Sequence, residues 1–241
     1  MKVQVEMAAF REDRWISIIA VLCVLLFAAQ GLHLVFWHTI ACDEPLHTIA
    51  GILYWRTGTF QGGIDNPPLL QLLFGLPYHL GLSSFDLLTK EPPIAGRLLN
   101  LFLGLLLCIA TGMFSWRIHG KRAGLLSLLL ISFSPSVVSH STLTTLDTGL
   151  VLFLLLGLWC IYEGRNSTSS ALNLLGAFFF GCALASKYNA LFLFPYVIAL
   201  IVGSIWLYKR DHKAVVKELV LGTLIIVLCL TASFGFEGAF T

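Results

Sequence analysis

Charge is scarce in this sequence: only 12% of its 241 residues are charged, where an ordinary soluble domain carries about a quarter. The 15 basic and 13 acidic residues leave a net charge of +2, with no long basic stripe, which excludes a nucleic-acid footprint. The six cysteines (Cys23, Cys42, Cys108, Cys160, Cys182 and Cys229) form no C-x-x-C pair. That excludes a disulfide framework and a thiolate metal centre, and leaves them as packing residues. No repeat of solenoid period and no low-complexity tract is present. What fills the space is apolar: 57% of the residues are hydrophobic and the mean hydropathy is +0.86. This composition belongs to a membrane protein.

Apolar runs approaching the roughly 20 residues needed to cross a bilayer occur at Trp15–Trp37, Ile94–Trp116, Ala123–Val138, Leu146–Tyr162, Leu172–Ser186, Leu191–Tyr208 and Leu219–Phe236. Open strands cannot satisfy their backbone in lipid, so the expected fold is all-α, a polytopic protein of about seven transmembrane helices. The first run is too long for a signal peptide and lacks a small-residue cleavage site, so it is expected to remain as a helix.

The basic residues orient the chain. With the amino terminus in the cytoplasm, Lys2, Arg11, Arg14, Arg117, Lys121, Arg122, Arg165, Lys209, Arg210, Lys213 and Lys217 lie inside. Only Arg56, Lys90, Arg97 and Lys187 lie outside or near that face. The sequon at Asn166 is then cytoplasmic and meaningless. The long loop Ile40–Pro93, the turn Ser134–Thr145 with Asp147 beyond it, and the turn at Ser186–Asn189 all face outward. An ionisable residue at the rim of a membrane helix needs a partner or a wet cavity, so Asp147 and Lys187 are functional candidates. A plain structural ion pair, or two snorkelling side chains, is the alternative.

The first outer loop, residues 41–93, collects an unusual set: Asp43-Glu44-Pro45, His47, Asp65-Asn66-Pro67-Pro68. Pro45 suits the first turn of a helix with Asp43 or Glu44 as its cap, and Gly58 ends that helix. Leu69–Leu82, interrupted by Gly75 and Pro77, is too short to span and reads as a second interfacial helix. Capping requires one carboxylate, and residues 41–73 alone carry three with a histidine. Asp43 and His47 at i,i+4 share a helix face, so a metal facet completed by Asp65 is one reading; flexible loop acids with a single histidine are the other.

Taken in order, these residues carry a resemblance. Asp43-Glu44-Pro45-x-His47-x3-Gly51-x2-Tyr54-x3-Gly58, Asp65-Asn66-Pro67-Pro68-Leu69, Leu76-Pro77, Arg97-Leu98-Leu99-Asn100, Ser134-Pro135 with Asp147, and Gly181-x-Ala183-x3-Lys187 with Pro195 resemble membrane glycosyltransferases of the GT-C fold. Within that fold they are similar to the protein O-mannosyltransferase and aminoarabinose transferase superfamily. The resemblance spans nearly the whole chain, and it implies one catalytic region over residues 1–241. It implies transfer of a sugar from a polyprenyl-phosphate donor to a hydroxyl of a protein, lipid or glycan, at the non-cytoplasmic face of the plasma membrane if the source is bacterial. No cofactor is required, although Asp65 matches an acid that in some members helps hold a divalent ion. Asp43 matches the catalytic aspartate and Glu44 its acidic neighbour, while His47, Asp65, Asn66, Arg97, Asp147 and Lys187 fall in substrate-binding segments. Asn66 departs from the His or Lys usual there, which leaves the phosphate to Arg97, Lys187 or Arg56.

The chemistry agrees with these residue types. A hydroxyl attacking an anomeric carbon needs a carboxylate to take its proton, and a departing phosphate needs a cation. One carboxylate suffices for a single, inverting displacement, whereas a covalent route calls for a second as nucleophile. A transporter would show paired broken helices and repeat symmetry, which are missing. A non-catalytic membrane subunit is the stronger rival. The resembling families continue past the equivalent of Thr241, so a fragment or a shortened member that needs a partner is expected.

Overall fold

The computed structural model describes residues 2–60, 65–85, 91–195, 197–199, 203 and 211–236. Among them the regular structure is helical: α1 (Lys2–Trp37), α2 (Asp43–Thr57), α3 (Leu69–His79), α4 (Ile94–His119), α5 (Lys121–Ser132), α6 (Pro135–Ser141), α7 (Asp147–Asn166), α8 (Ser170–Leu184), a 3-10 helix at Tyr188–Leu193, and α9 (His212–Ser233).

Among the described residues, four helices are long and apolar enough to cross a membrane: α1 from Arg14, α4, α7 and α9. Their outward faces are greasy. Val21, Leu22, Leu25 and Leu26 on α1, and Val220, Leu224, Val227 and Leu228 on α9, are exposed, a pattern tolerable only where the solvent is hydrocarbon. Two of the seven expected spans are corrected among the described residues, and a third falls largely outside them. The run Ala123–Val138 is two helices, α5 and α6, bent by 64°, where Pro135 opens α6 and cannot continue the hydrogen-bond ladder of α5. With that bent pair counted as one span the total is five. The run at Leu172–Ser186 yields only the 15-residue α8, and Leu191–Tyr208 begins inside the 3-10 helix and then passes largely outside the described residues.

Three apolar clusters hold the bundle. Cys23 and Phe27 of α1 pack with Leu101 and Cys108 of α4 and Leu128 of α5. Leu70 and Phe74 of α3 pack against Leu103 and Leu107 of α4 and Leu152 of α7. Leu154 and Ile161 of α7 meet Phe180 and Leu184 of α8. Without a hydrophobic drive between helices in lipid, close packing supplies the association energy, and small residues permit it.

The two short helices of the first loop form a unit. α2 ends as expected, with Gly58 left-handed (φ 71°) and its N–H bonded to the Tyr54 carbonyl at 2.8 Å. α3 runs unbroken through Gly75 and Pro77. Gly51 and Gly75 let the two backbones touch: a Cβ on Gly51 would overlap the Gln71 carbonyl, and one on Gly75 would overlap the backbone of Gly51. The pair is docked by Trp55, whose Nε1 donates to the Leu72 carbonyl at 2.9 Å, and by Leu69, whose N–H donates to the Ala185 carbonyl at 2.9 Å.

The bundle therefore has two different ends. One carries α2, α3, the start of α4, the α6–α7 turn and the end of α8. The other carries the α4–α5 turn and the α7–α8 turn, with Arg117 2.7 Å from Glu163. There Glu218 of α9 accepts from Ser170 at 2.6 Å and from Asn173 at 3.1 Å, and lies 3.5 Å from Arg165.

Candidate functional site

Asp43 and Glu44 are adjacent, and a helix turns about 100° per residue, so the two carboxylates leave α2 in different directions. Asp43 is exposed. Glu44 is fully buried, and so is Arg97 of α4, its partner at 2.6 Å. Neither acid supplies the expected side-chain cap; the N-cap is Cys42 and makes no side-chain bond. Glu44 instead reaches back to the Ala41 N–H at 2.9 Å.

All the donors of Arg97 are engaged. A guanidinium has five N–H groups. Nε donates to Glu44 Oε1 at 2.8 Å and Nη2 to Glu44 Oε2 at 2.6 Å. Nη1 donates to the carbonyls of Val35 and His38, each at 2.9 Å, and Nη2 also to that of Thr39 at 3.0 Å. The Thr144 N–H closes the remaining side of Glu44, donating to Oε1 at 2.9 Å. This knot ties the end of α1, the start of α2, α4 and the α6–α7 turn together. It leaves Arg97 without a donor for a phosphate, contrary to the expectation that it contacts one, and it leaves Glu44 facing protein rather than solvent.

The open side of the same end holds a looser polar group. Lys187 Nζ donates to Asp147 Oδ1 at 2.6 Å, and the two side chains are 24% and 39% exposed. The two residues, from different turns, thus form an ion pair, the arrangement given above as the alternative to a functional role. His140, at the end of α6, places Nδ1 3.7 Å from Asp147 Oδ2. His47 lies one helical turn after Asp43, half-buried, with Nδ1 3.4 Å from Gln71 Nε2 of α3. Burial pushes the His47 imidazole below its usual range and Lys187 pushes it further, while Asp43 and Asp147 pull it back in part. His47 is accordingly a hydrogen-bonding group set among charges, with burial favouring its neutral form.

Asp65 is exposed and Asn66 half-buried at the turn that leads into α3. Among the described residues no group of three or more His, Cys, Asp or Glu side chains could hold a metal ion. The facet of Asp43, His47 and Asp65 is therefore not assembled, and no step is routed through a metal. Two residues of this end, Thr144 and His140, carry no signal in the sequence. Thr144 acts through its backbone N–H, and His140 stands seven positions before Asp147, a spacing with no meaning until the α6–α7 turn folds. Gln71 did leave a trace: an amide inside an apolar run, here 1% exposed.

No curated protein matches the sequence. Among solved structures, the fold matches that of the S. cerevisiae protein O-mannosyltransferase Pmt1-Pmt2 complex bound to the sugar donor, with a TM-score of 0.68 at 20% identity. The match covers 93% of this chain and 33% of that one, so the chain spans about a third of the protein it resembles. At sequence level, the family described as dolichyl-phosphate-mannose-protein mannosyltransferase matches residues 20–234. A match over most of the chain, joined to the shared all-helical membrane fold, places this integral membrane protein in the dolichyl-phosphate-mannose-protein mannosyltransferase family.

Proposed function

We propose that this chain carries the catalytic end of a glycosyltransferase that moves a sugar, mannose by family, from a polyprenyl phosphate to an acceptor hydroxyl. The observation that carries the reading is the exposed Asp43 carboxylate beside the closed Glu44–Arg97 knot. A general base must reach its substrate and must not drift, and this arrangement offers both: α2 starts at Asp43, and Glu44 fastens that start to three other segments.

The step is a single displacement. The acceptor oxygen forms a bond to the anomeric carbon, its proton passes to the Asp43 carboxylate, and the bond from that carbon to the phosphate oxygen breaks with its electron pair on the phosphate. The result is inversion at the anomeric centre. Lys187 neutralises the phosphate once released from Asp147, assisted by Arg56 near the end of α2. Neutral His47 supplies a hydrogen bond to the sugar, and Glu44 and Arg97 serve as positioning residues. The bias of basic residues along the sequence, eleven in the segments read as inside against four outside, supports a cytoplasmic amino terminus and a site on the outer face.

The decisive experiment is Asp43→Asn in purified full-length protein given polyprenyl-phosphate mannose and an acceptor. Loss of a positioned base lowers turnover by roughly 100- to 10,000-fold, while Asn at this exposed position changes stability by less than about 1 kcal/mol. Turnover near the wild-type rate would refute the role of Asp43. A second reading follows from the one-third coverage of the matched chain: a membrane subunit whose donor cavity is closed by a partner. It predicts no turnover by the wild-type chain alone and recovery on adding that partner.

A further inference from the structure

We propose that His140 is a positioning residue for donor binding, receiving the Asp147 carboxylate when the donor phosphate draws Lys187 away. The inference rests on the reading of Lys187 as the phosphate contact. Asp147 stands between two nitrogen bases, with Lys187 Nζ 2.6 Å from Oδ1 and His140 Nδ1 3.7 Å from Oδ2. A phosphate that binds Lys187 competes with Asp147 for one ammonium group. Its success strands a carboxylate at the rim of a membrane helix, where an unpartnered charge is costly. An imidazole already 3.7 Å from the other oxygen offsets that charge whenever it carries a proton.

The backbone holds His140 in place for this task. Its carbonyl accepts from Asn100 Nδ2 at 2.8 Å and from Thr145 Oγ1 at 3.0 Å. Asn100 is fully buried in α4, so the end of α6 is anchored while the ring stays about half exposed (49%), open to protons from water. Of the other ionisable groups on the elements around α6, Arg117 and His119 of α4 and Glu163 and Arg165 of α7 lie in the last turns of those helices, at the opposite end of the bundle, and His33 of α1 stacks on Trp37. On α4, Arg97 is closed on Glu44 of α2. His38, beyond the end of α1, faces Thr142 Oγ1 at 3.4 Å. On α2, Asp43 is exposed and the His47 imidazole is pushed below its usual range by burial. The basic residues of α5, Lys121 and Arg122, start that helix at the opposite end of the bundle. On the side of α7 and the turn after α8, the charges are Asp147 and Lys187 themselves.

The test is direct binding of a short-chain polyprenyl-phosphate mannose to the purified full-length protein in nanodiscs, between about pH 5.5 and 8, where imidazoles change charge. The donor phosphodiester keeps a single negative charge throughout. Wild-type affinity is expected to fall about three- to fivefold as pH rises, the scale of one half-exposed ion pair. His140→Gln should bind at the weak level at every pH, and His140→Lys, permanently charged, at the tight level at every pH. Both substitutions keep the two backbone-directed hydrogen bonds, and turnover at saturating donor should stay within about twofold of wild type. A wild-type pH profile retained by His140→Gln, or His140→Lys binding as weakly as His140→Gln, overturns the proposal. Lys187→Gln separates the two levels. Normal donor binding by that variant refutes the phosphate reading itself, whereas weakened binding alongside unresponsive His140 variants refutes only the role of His140.

Discussion

Replacing Glu44 by glutamine keeps the shape of the side chain and removes its charge, and the structure sets the size of the response. Each carboxylate oxygen accepts two good bonds: Oε1 from Arg97 Nε at 2.8 Å and the Thr144 N–H at 2.9 Å, Oε2 from Arg97 Nη2 at 2.6 Å and the Ala41 N–H at 2.9 Å. Glutamine presents an NH2 group where one of these oxygens was, so two donors lose their acceptor and the Arg97 charge is left buried without a counter-charge. With both side chains fully buried, breaking such a pair from one side costs about 3–5 kcal/mol. For a chain of this size that lowers the melting temperature by on the order of 10 °C. The assay is thermal unfolding in detergent followed by tryptophan fluorescence, with turnover measured in parallel well below the melt. Removing both charges, as Glu44→Gln with Arg97→Met, should recover part of the lost stability, because no isolated charge remains. A melting temperature within about 2 °C of wild type would refute the knot as a structural element. If turnover vanished with that unchanged melt, Glu44 would belong with the reacting groups instead.

Two further outcomes follow from the same geometry. Lys187→Gln should weaken donor use more than acceptor use, and Lys187→Arg should restore most of it because a guanidinium also binds phosphate; equal donor affinity in wild type and Lys187→Gln would leave Lys187 as a structural partner of Asp147. In intact cells, Ser84→Cys beyond α3 should react with an impermeant thiol reagent and Ser167→Cys between α7 and α8 should not; labelling of Ser167→Cys would reverse the orientation.

The site was legible in the sequence in proportion to how local its parts are. Gly58 ended α2 where expected, since a left-handed helix terminus is set by the residue that can adopt it. Lys187 and Asp147 were both singled out because a charge in an apolar run stands out against its neighbours, and they meet at 2.6 Å. The expected roles of Glu44 and Arg97 illustrate the limit. Both had the chemistry of a reacting group, and neither residue type reveals that its partner lies 53 positions away.

Composition alone determined that this protein is helical and membrane-embedded, because too few charges and too many apolar runs leave no alternative in water or in lipid. The order of local motifs determined its family resemblance, since each motif is a short stretch whose geometry is set by its own prolines, glycines and acids. Only the tertiary structure decided which acid faces outward. Asp43 and Glu44 are equivalent as letters, and the rotation of α2, fixed against α3 by the contact of Gly51 with Gly75 and against α4 by the Arg97 guanidinium, exposes one and buries the other. The folding of the α6–α7 turn likewise brought His140 to Asp147. Hydrophobicity decides which segments are buried, but it is non-directional; the choice of partner belongs to hydrogen bonds whose two ends are far apart in the chain.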